Sequence, residues 1–272
     1  MSERGERRVR HILSMSGGKD STALAVYMRD RQPDMEYVFC DTKKELQETY
    51  DYLAKVEAYL GKPIVRLNDN RGFDHWLEVY GHYLPSPQMR WCTRQLKIRP
   101  FETFVGDDPV ISYIGIRADE RRDGYISSKP NITPRYPFKE DGVTERDIYR
   151  ILDDAGLGLP EYYKWRTRSG CYFCFFQRKA EWLGLKDNHP DLFERAKEYE
   201  KTDPQAARRF TWSQSESLEE LAQPERAEAI RRRHLKVVQA QQAARPDRPL
   251  VDVFADALDE EDDQEGCLIC HL

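Results

Sequence analysis

Short, continuous apolar runs alternate with longer amphipathic stretches in the first half of the chain. Apolar residues recur at helical spacing in residues 20–30 and 44–60, and shorter apolar runs flank both stretches. Strands that alternate with helices of this length are joined by right-handed crossovers, which places them in one sheet. The pattern therefore predicts an α/β fold with a largely parallel, twisted sheet flanked by helices. The predicted strands are residues 11–15, 36–40, 63–67 and 110–116.

The second half of the chain is charged and follows a helical pattern. Thr144 followed by Asp147 predicts a capping box at the start of a helix over residues 147–155. Further helices are predicted at residues 177–186, 190–201, 218–221 and 224–244. We therefore predict three parts, namely an α/β domain (1–143), a C-terminal helical cap (144–246) and an acidic, mobile tail (247–272).

The composition is that of a soluble globular protein, with 39% hydrophobic and 33% charged residues. No run of about eighteen apolar residues occurs, so no membrane-spanning helix is predicted. The first ten residues are basic, but no apolar segment or cleavage site follows them, so no secretory signal is predicted. The expected location is the cytoplasm.

The net charge of −5 is unevenly distributed along the chain. Residues 249–272 hold eight acidic residues and no Lys or Arg, so the other residues carry 43 basic and 40 acidic side chains, a charge of +3. The overall acidity therefore does not argue against a polyanionic ligand. The acidic run itself is interpreted as a solvated tail.

A glycine-rich loop between the first predicted strand and helix has the chemistry of a phosphate site. Its sequence, residues 16–21, is Ser-Gly-Gly-Lys-Asp-Ser. The two glycines allow a tight turn whose N–H groups approach an anion, and the following helix directs its positive end to the same place. Lys19 adds a charge, and two serines add hydroxyl donors. The loop lacks the spacing of the Walker motif.

This hexapeptide matches the pyrophosphate loop of the N-type ATP pyrophosphatases, the adenine nucleotide alpha hydrolase-like superfamily. The resemblance implies a HUP-type fold and an enzyme that binds ATP while it adenylylates a substrate. It also implies a set of ATP-contacting residues on the first strand and the loop, namely Ser14, Ser16, Gly17, Gly18, Lys19, Asp20 and Ser21.

Further segments resemble the PAPS reductase-like branch of that superfamily, over roughly residues 10–185. They are Phe-Cys-Asp-Thr at 39–42, a segment at 90–100 with Arg90, Cys92, Lys97 and Pro100, and Gly-Ile-Arg-Ala-Asp-Glu at 115–120. The resemblance implies further nucleotide contacts from Asp41, Arg90, Gly115 and Arg117. The expected catalytic residues are Lys19, Asp20, Asp41 and Arg117. Asp41, Asp119 or Glu120 is expected to hold Mg²⁺.

Three cysteines form a second group with possible chemistry. Cys171 and Cys174 form a C-x-x-C pair, and with Cys92 they resemble the cluster ligands of sulfonucleotide reductases and thiolation enzymes. The resemblance implies a [4Fe–4S] cluster, either with one open iron or with Cys267 or Cys270 of the tail as fourth ligand. Zinc, with Cys or His271 as fourth ligand, is the alternative. Cys40 is interpreted as a small apolar residue of a buried strand.

Basic residues crowd the last predicted helix, where Arg231, Arg232 and Arg233 are consecutive. Two interpretations are open. The helix is either a solvated element paired with Glu225 and Glu228, or a surface that contacts nucleic-acid phosphates.

These features favour an ATP pyrophosphatase that activates a substrate for sulfur transfer. The resemblance implies DNA phosphorothioation or nucleic-acid thiolation, with DNA or RNA as acceptor and a cysteine desulfurase as sulfur donor. The first alternative is a sulfonucleotide (PAPS or APS) reductase. The second is a non-catalytic, nucleotide-sensing partner in a sulfur-transfer complex.

Overall fold

The computed structural model describes residues 8–121, 127, 129–167, 170–203, 208–213 and 216–243. They divide into two compact units. The first contains residues 8–76 with Arg90–Cys171, and the second contains Leu77–Met89 with the described residues from 172 onward. The predicted domain boundaries at residues 143 and 246 stay predictions.

The first unit is built on a five-stranded parallel sheet with the strand order β3-β2-β1-β4-β5. Central strand β1 pairs on both sides, so that Leu13 faces Tyr37 on one neighbour and Tyr113 on the other. The parallel sheet with flanking helices confirms the predicted α/β fold. The strands are β1 (Arg10–Met15), β2 (Glu36–Cys40), β3 (Ile64–Leu67), β4 (Val110–Tyr113) and β5 (Ile132–Arg135).

Helices cover both faces of this sheet. Leu13 and Phe39 belong to a core that includes residues of α1, α2 and α7, whereas Ile12 and Val38 pack in a core with α5. Successive strand residues point to opposite faces, which explains this division. The helices are α1 (Lys19–Met28), α2 (Gln47–Leu60), α3 (Gly72–Val79), α4 (Trp91–Thr93), α5 (Arg99–Val105), α6 (Pro137–Glu140) and α7 (Glu145–Asp154). A π-helical stretch (Arg94–Ile98) joins α4 to α5, and a 3₁₀ turn (Glu161–Lys164) follows α7.

Several predicted boundaries differ from those observed. Helix α2 begins at Gln47 rather than residue 44, because Lys43 has a φ of 58° and the Leu46 N–H donates to the Gly170 carbonyl. The fourth strand ends at Tyr113 rather than residue 116, because the chain turns there. The capping box at Thr144 is confirmed, and its helix starts at Glu145.

The second unit is mainly helical. An aromatic core anchors it, in which Phe173 stacks on Trp212 with ring centroids 5.3 Å apart. The Trp212 indole N–H donates to the Ala196 carbonyl at 2.8 Å. Within the described residues, no helix combines the length and apolar character that a bilayer crossing requires. The elements are α8 (Lys179–Asn188), α9 (Pro190–Glu198), the hairpin β6 (Lys201–Asp203) and β7 (Arg208–Phe210), α10 (Leu218–Leu221) and α11 (Pro224–Ala243).

Candidate nucleotide-binding site

The phosphate loop (residues 16–21) lies where the strand order of the sheet reverses. It follows the central strand β1. Strands β2 and β3 lie on one side of β1, and β4 and β5 lie on the other. The segment with Gly115 and Arg117 follows β4, so both segments emerge at the carboxyl edge of adjacent strands. Open α/β sheets bind ligands at this switch point.

Hydrogen bonds within the phosphate loop hold its turn. The Ser16 N–H donates to the Ser21 hydroxyl at 3.1 Å, and that hydroxyl lies 3.2 Å from the Gly18 carbonyl, to which it donates. Gly17 has a φ of 72°, and a Cβ there would lie 2.6 Å from Cγ2 of Thr49. The loop therefore needs glycine at this position for both backbone conformation and space.

Asp20 links two cations that follow different strands, Lys19 after β1 and Arg117 after β4. Its carboxylate lies 3.2 Å from Lys19 Nζ and 2.9 Å from Nη1 of Arg117. Lys19 also pairs with Glu145 of α7 at 3.0 Å. Lys19 and Asp20 are both buried, so these ion pairs are held in a region of low solvent screening. The structure thus brings together three of the four predicted catalytic residues.

Arg117 is surrounded by carboxylates. Besides Asp20 it pairs with Asp119 at 3.0 Å and with Glu120 at 3.2 Å. Burial by itself lowers the pKa of Arg117, but the charge and hydrogen bond of Asp20, followed by its other partners, leave that pKa raised. The guanidinium is therefore a fixed cation beside the loop.

Gly115 allows the end of β4 to approach the start of α1. A Cβ on Gly115 would lie 3.0 Å from the backbone oxygen of Asp20. A larger side chain would displace the first turn of α1, and with it the Asp20 carboxylate. The predicted site residue Gly115 therefore has a packing role that the structure defines.

Two tyrosines of the 3₁₀ turn contact the loop, and the sequence analysis missed both. The Tyr162 hydroxyl donates to the Gly17 carbonyl at 3.2 Å, and the Tyr163 hydroxyl accepts the Lys19 N–H at 3.2 Å. Burial raises the pKa of both hydroxyls, so both stay protonated. Their adjacency after Pro160 is the only sequence signal, and it does not indicate a partner 145 residues away.

The remaining predicted nucleotide contacts are more scattered. Asp41 follows β2 and accepts hydrogen bonds from the Tyr50 hydroxyl at 2.7 Å and the Lys43 N–H at 2.8 Å. Burial first, and then the Asp41 carboxylate, raises the pKa of Tyr50. Ser14 is buried, with a hydroxyl that has no hydrogen-bond partner among the described residues. Arg90 is half-buried just before α4, and its role stays a prediction.

The cysteines occupy different environments. Cys171 is buried, its backbone forms a β-bridge with Glu45, and its carbonyl accepts the Arg166 guanidinium at 2.6 Å. Cys174 is buried, and Cys92 is half-buried in α4. Cys40 lies in the core, as predicted, and burial raises its pKa to about 12.

Across the described part of the chain, no group of three or more His, Cys, Asp or Glu side chains has the arrangement of a metal site. The cluster expected at Cys92, Cys171 and Cys174 therefore has no preformed cage there. The fourth expected ligand, Cys270, and the alternative, His271, lie outside the described residues. The ligand set stays a prediction.

The basic residues of α11 form ion pairs within the second unit. Arg231 pairs with Asp187, and Arg232 pairs with Glu228, each at 2.6 Å. These pairs favour the interpretation of a solvated, charge-paired helix over that of a nucleic-acid surface.

A parallel sheet with a glycine-lined, lysine-bearing loop at its switch point defines an α/β nucleotide-binding domain. Residues 10–131 match the family model of the phosphoadenosine phosphosulfate reductase domain. For residues 10–131, this match confirms the resemblance to the PAPS reductase-like branch of the N-type ATP pyrophosphatases.

Individual relatives match parts of the chain. It is 30% identical over 198 residues to an uncharacterized protein of Methanocaldococcus jannaschii. That alignment covers 68% of this chain and 40% of the relative. It is 28% identical over 139 residues to the tRNA-specific 2-thiouridylase of Actinobacillus succinogenes. That alignment covers 46% of this chain and 35% of the enzyme. The PAPS reductase structure from Candida auris has a TM-score of 0.48 and 13% identity, covering 60% of this chain and 82% of that one. The chain thus spans less than half the length of either of the first two relatives.

Proposed function

We propose that the chain is an ATP pyrophosphatase that adenylylates an acceptor for sulfur transfer. The observation that carries the proposal is the phosphate loop at the switch point, with Lys19 and Arg117 fixed on one carboxylate. The match of residues 10–131 to a sulfonucleotide-using domain supports sulfur chemistry. The similarity to a tRNA thiouridylase supports a nucleic acid as the acceptor.

The proposed reaction has two displacements. An oxygen of the acceptor attacks the α-phosphorus of ATP, which enters as its magnesium complex, and pyrophosphate leaves with the bonding electrons. Sulfide then attacks the activated atom of the acceptor, and AMP leaves; if a persulfide attacks instead, a second thiol must cleave the resulting S–S bond to release the thiolated acceptor and form a disulfide with the donor. The loop N–H groups and Lys19 are placed to stabilise the charge on departing pyrophosphate. Arg117 offers a fork-shaped set of donors for phosphate oxygens.

A cluster held by Cys92, Cys171, Cys174 and Cys270 is part of the proposal for the whole protein. Such a cluster would supply a binding site for sulfur. The roles assigned to this chain in the two displacements above are those of the loop and its cations.

The test is a single-turnover assay with ATP labelled at the α-phosphate, with and without nucleic acid. We expect labelled AMP and an equal amount of pyrophosphate. Lys19→Ala should lower the rate by about 100-fold or more, the usual effect of removing a group that stabilises transition-state charge. Lys62→Ala, which removes a lysine on the chain segment before β3, is the matched control and should retain the wild-type rate.

Two outcomes of this assay contradict the proposal. Bound but intact ATP would indicate the non-catalytic, nucleotide-sensing alternative. Unchanged pyrophosphate release in Lys19→Ala would show that the loop does not hold the reacting phosphates.

A sulfonucleotide reductase is the second candidate, because the matching family model is that of a PAPS reductase domain. It requires a nucleophilic thiol and an electron donor rather than ATP cleavage. Release of sulfite from PAPS in the presence of thioredoxin, without AMP formation from ATP, would establish it in place of the pyrophosphatase.

A further inference from the structure

A basic cleft of 590 Å³ opens at the end of β3, outside the site described above. Its lining comes from the last two residues of β3, from the segment that follows β3 and from α5, all within the first unit. Besides apolar residues it presents three arginines, two asparagines and one acid. These residues are Arg66, Asn68, Asp69, Asn70, Arg71 and Arg99.

Aromatic rings position the arginines without neutralising them. The Arg71 guanidinium lies 4.2 Å from the Trp76 ring centroid, and that of Arg99 lies 6.0 Å from the same ring. Arg66 lies 5.5 Å from the Tyr50 ring. Such a contact leaves the N–H edges of Arg66 available to an anion, whereas Arg71 also donates Nε and Nη2 to Asp69, at 3.2 and 2.8 Å.

The balance of charge in the cleft is positive. Asp69 pairs with Arg71 at 2.8 Å, and Arg99 donates to the neutral Gln95 amide at 3.1 Å. Arg66 is exposed and has no carboxylate partner among the described residues. Three cations against one carboxylate give a site that attracts anions, and the amides of Asn68 and Asn70 add uncharged donors.

The cleft shares the carboxyl edge of the sheet with the phosphate loop. Leu67, which lines it, pairs with Cys40, and its carbonyl accepts the Asp41 N–H at 2.7 Å. Strands β3, β2 and β1 are neighbours, so the cleft lies two strand spacings from the loop, about 10 Å. An anion in the cleft would therefore lie beside ATP rather than in its place.

We infer that this cleft binds a backbone phosphate of the nucleic acid that serves as acceptor. The inference rests on the proposed function for the identity of that polymer. The forked guanidinium groups suit phosphate oxygens, and the distance from the loop suits a strand whose neighbouring group reacts at the nucleotide. A free inorganic anion has the same chemistry, and the experiment separates the two.

The test uses the full chain and Arg66→Gln/Arg71→Gln/Arg99→Gln. The control, Arg8→Gln/Arg29→Gln/Arg31→Gln, removes equal charge from exposed ion pairs at the opposite, amino edge of the sheet. Fluorescence anisotropy measures binding of a labelled DNA duplex of about 20 base pairs and an RNA stem-loop over a range of salt concentrations. Calorimetry measures binding of inorganic phosphate and sulfate.

We expect the cleft variant to raise the Kd of at least one nucleic acid by about tenfold or more, and to reduce the salt slope by about 2 to 3. The control should change the Kd less than twofold. Arg66→Gln alone, which disturbs no ion pair among the described residues, should reduce the slope by about 1 and guards against misfolding of the triple variant. Equal losses in both triple variants, or no loss in either, would overturn the inference. So would binding of inorganic anions without nucleic acid.

The same proteins separate this inference from the proposed function. If the cleft variant forms AMP but binds nucleic acid as the wild type does, only the cleft assignment fails. If the wild type binds nucleic acid through these arginines but never cleaves ATP, the pyrophosphatase assignment fails and the cleft assignment stands.

Discussion

Gly17 combines two requirements at a single residue. Its φ of 72° lies in the left-handed region, and Thr49 of α2 leaves no space for a Cβ. The first requirement is local and could be predicted from a glycine in a tight turn. The second could not, because it depends on how α2 packs against the loop.

Gly17→Ala should therefore lower the free energy of unfolding by about 1 to 3 kcal/mol and weaken ATP binding. Thr49→Ser removes the methyl group that the new Cβ at position 17 would contact. The double variant Gly17→Ala/Thr49→Ser should therefore recover the steric part of the losses in stability and in ATP binding. Urea unfolding and ATP titration measure these effects.

Gly61→Ala is the matched control for Gly17→Ala. Gly61 also has a positive φ, 62°, but a Cβ added there would have open space around it, with no neighbouring group within 4 Å. This variant should show only the backbone cost, about 1 kcal/mol, with normal ATP binding. A Gly17→Ala protein no less stable than Gly61→Ala would contradict the packing argument.

At the scale of elements, prediction succeeded where the signal was local. The unit β1, loop and α1 was predicted because an apolar run, a glycine pair and a helical period follow one another. The 3₁₀ turn Glu161–Lys164 was missed because it is short and its partners are distant in sequence. Strand β5 was missed because four residues that include a proline carry little periodic signal.

The Lys19 N–H donates to the Tyr163 hydroxyl, and under the proposed function the phosphates of ATP would compete for the same donor. Tyr163→Phe removes the hydroxyl acceptor and should strengthen ATP binding by about three- to tenfold, the effect of one hydrogen bond. Tyr162→Phe is the matched control, because that hydroxyl donates to a carbonyl that phosphate cannot use. It should cost about 1 kcal/mol of stability without tighter binding. Weaker ATP binding by Tyr163→Phe would show that the hydroxyl contacts the nucleotide.

Glu216 joins α8 and α11 in the second unit. It accepts two hydrogen bonds from Arg226, at 2.6 and 2.7 Å, and pairs with Lys179 at 3.0 Å. The Arg226 hydrogen bond is the main reason that the pKa of Glu216 falls below its ordinary value of 4.5. A carboxylate whose pKa is lowered by folding stabilises the folded protein fully at a pH above its ordinary pKa. This stabilisation is lost as the pH falls through the lowered pKa.

Glu216→Gln should therefore destabilise the protein by about 2 kcal/mol at neutral pH. The difference from wild type should begin to narrow as the pH falls below 4.5, where the carboxyl group of the unfolded chain takes up protons, and should be smallest below the lowered pKa, where the folded-state carboxyl group is protonated too. Urea midpoints measured from about pH 3 to about pH 8 give the comparison. A difference that is constant across this range would show that charge is not the cause.

At the scale of the whole molecule, the sheet order explains why residues far apart in sequence share one edge. The segments after β1, β2, β3 and β4 carry Lys19, Asp41, Arg71 and Arg117 to the same side. The alternation of strands and helices was enough to predict a parallel sheet with Asp41 and Arg117 at strand ends, but it predicted neither the strand order nor the arginine after β3. The metal ligands are different, because spacing alone does not say which cysteines meet in space.

Iron and sulfide analysis after anaerobic purification tests the cysteine prediction. The expected result is a brown protein with about four iron atoms per chain, which loses its colour when a chelator removes the metal. Cys171→Ser should lose the iron, whereas Cys40→Ser, which replaces a core cysteine, should retain it. A colourless protein that contains zinc would favour the zinc alternative.

The shared carboxylate of Asp20 means that its two cations are not independent parts. Removing Lys19 takes away one of the two cations on Asp20, and removing Arg117 takes away the other, so each deletion changes the surroundings of the remaining cation. The effects of the two substitutions on catalysis should not add, and Asp20→Asn should absorb most of their coupling. Lys19, Asp20 and Arg117 thus connect the segments after β1 and β4 by ion pairs, and a substitution in one segment changes the electrostatic environment of the other.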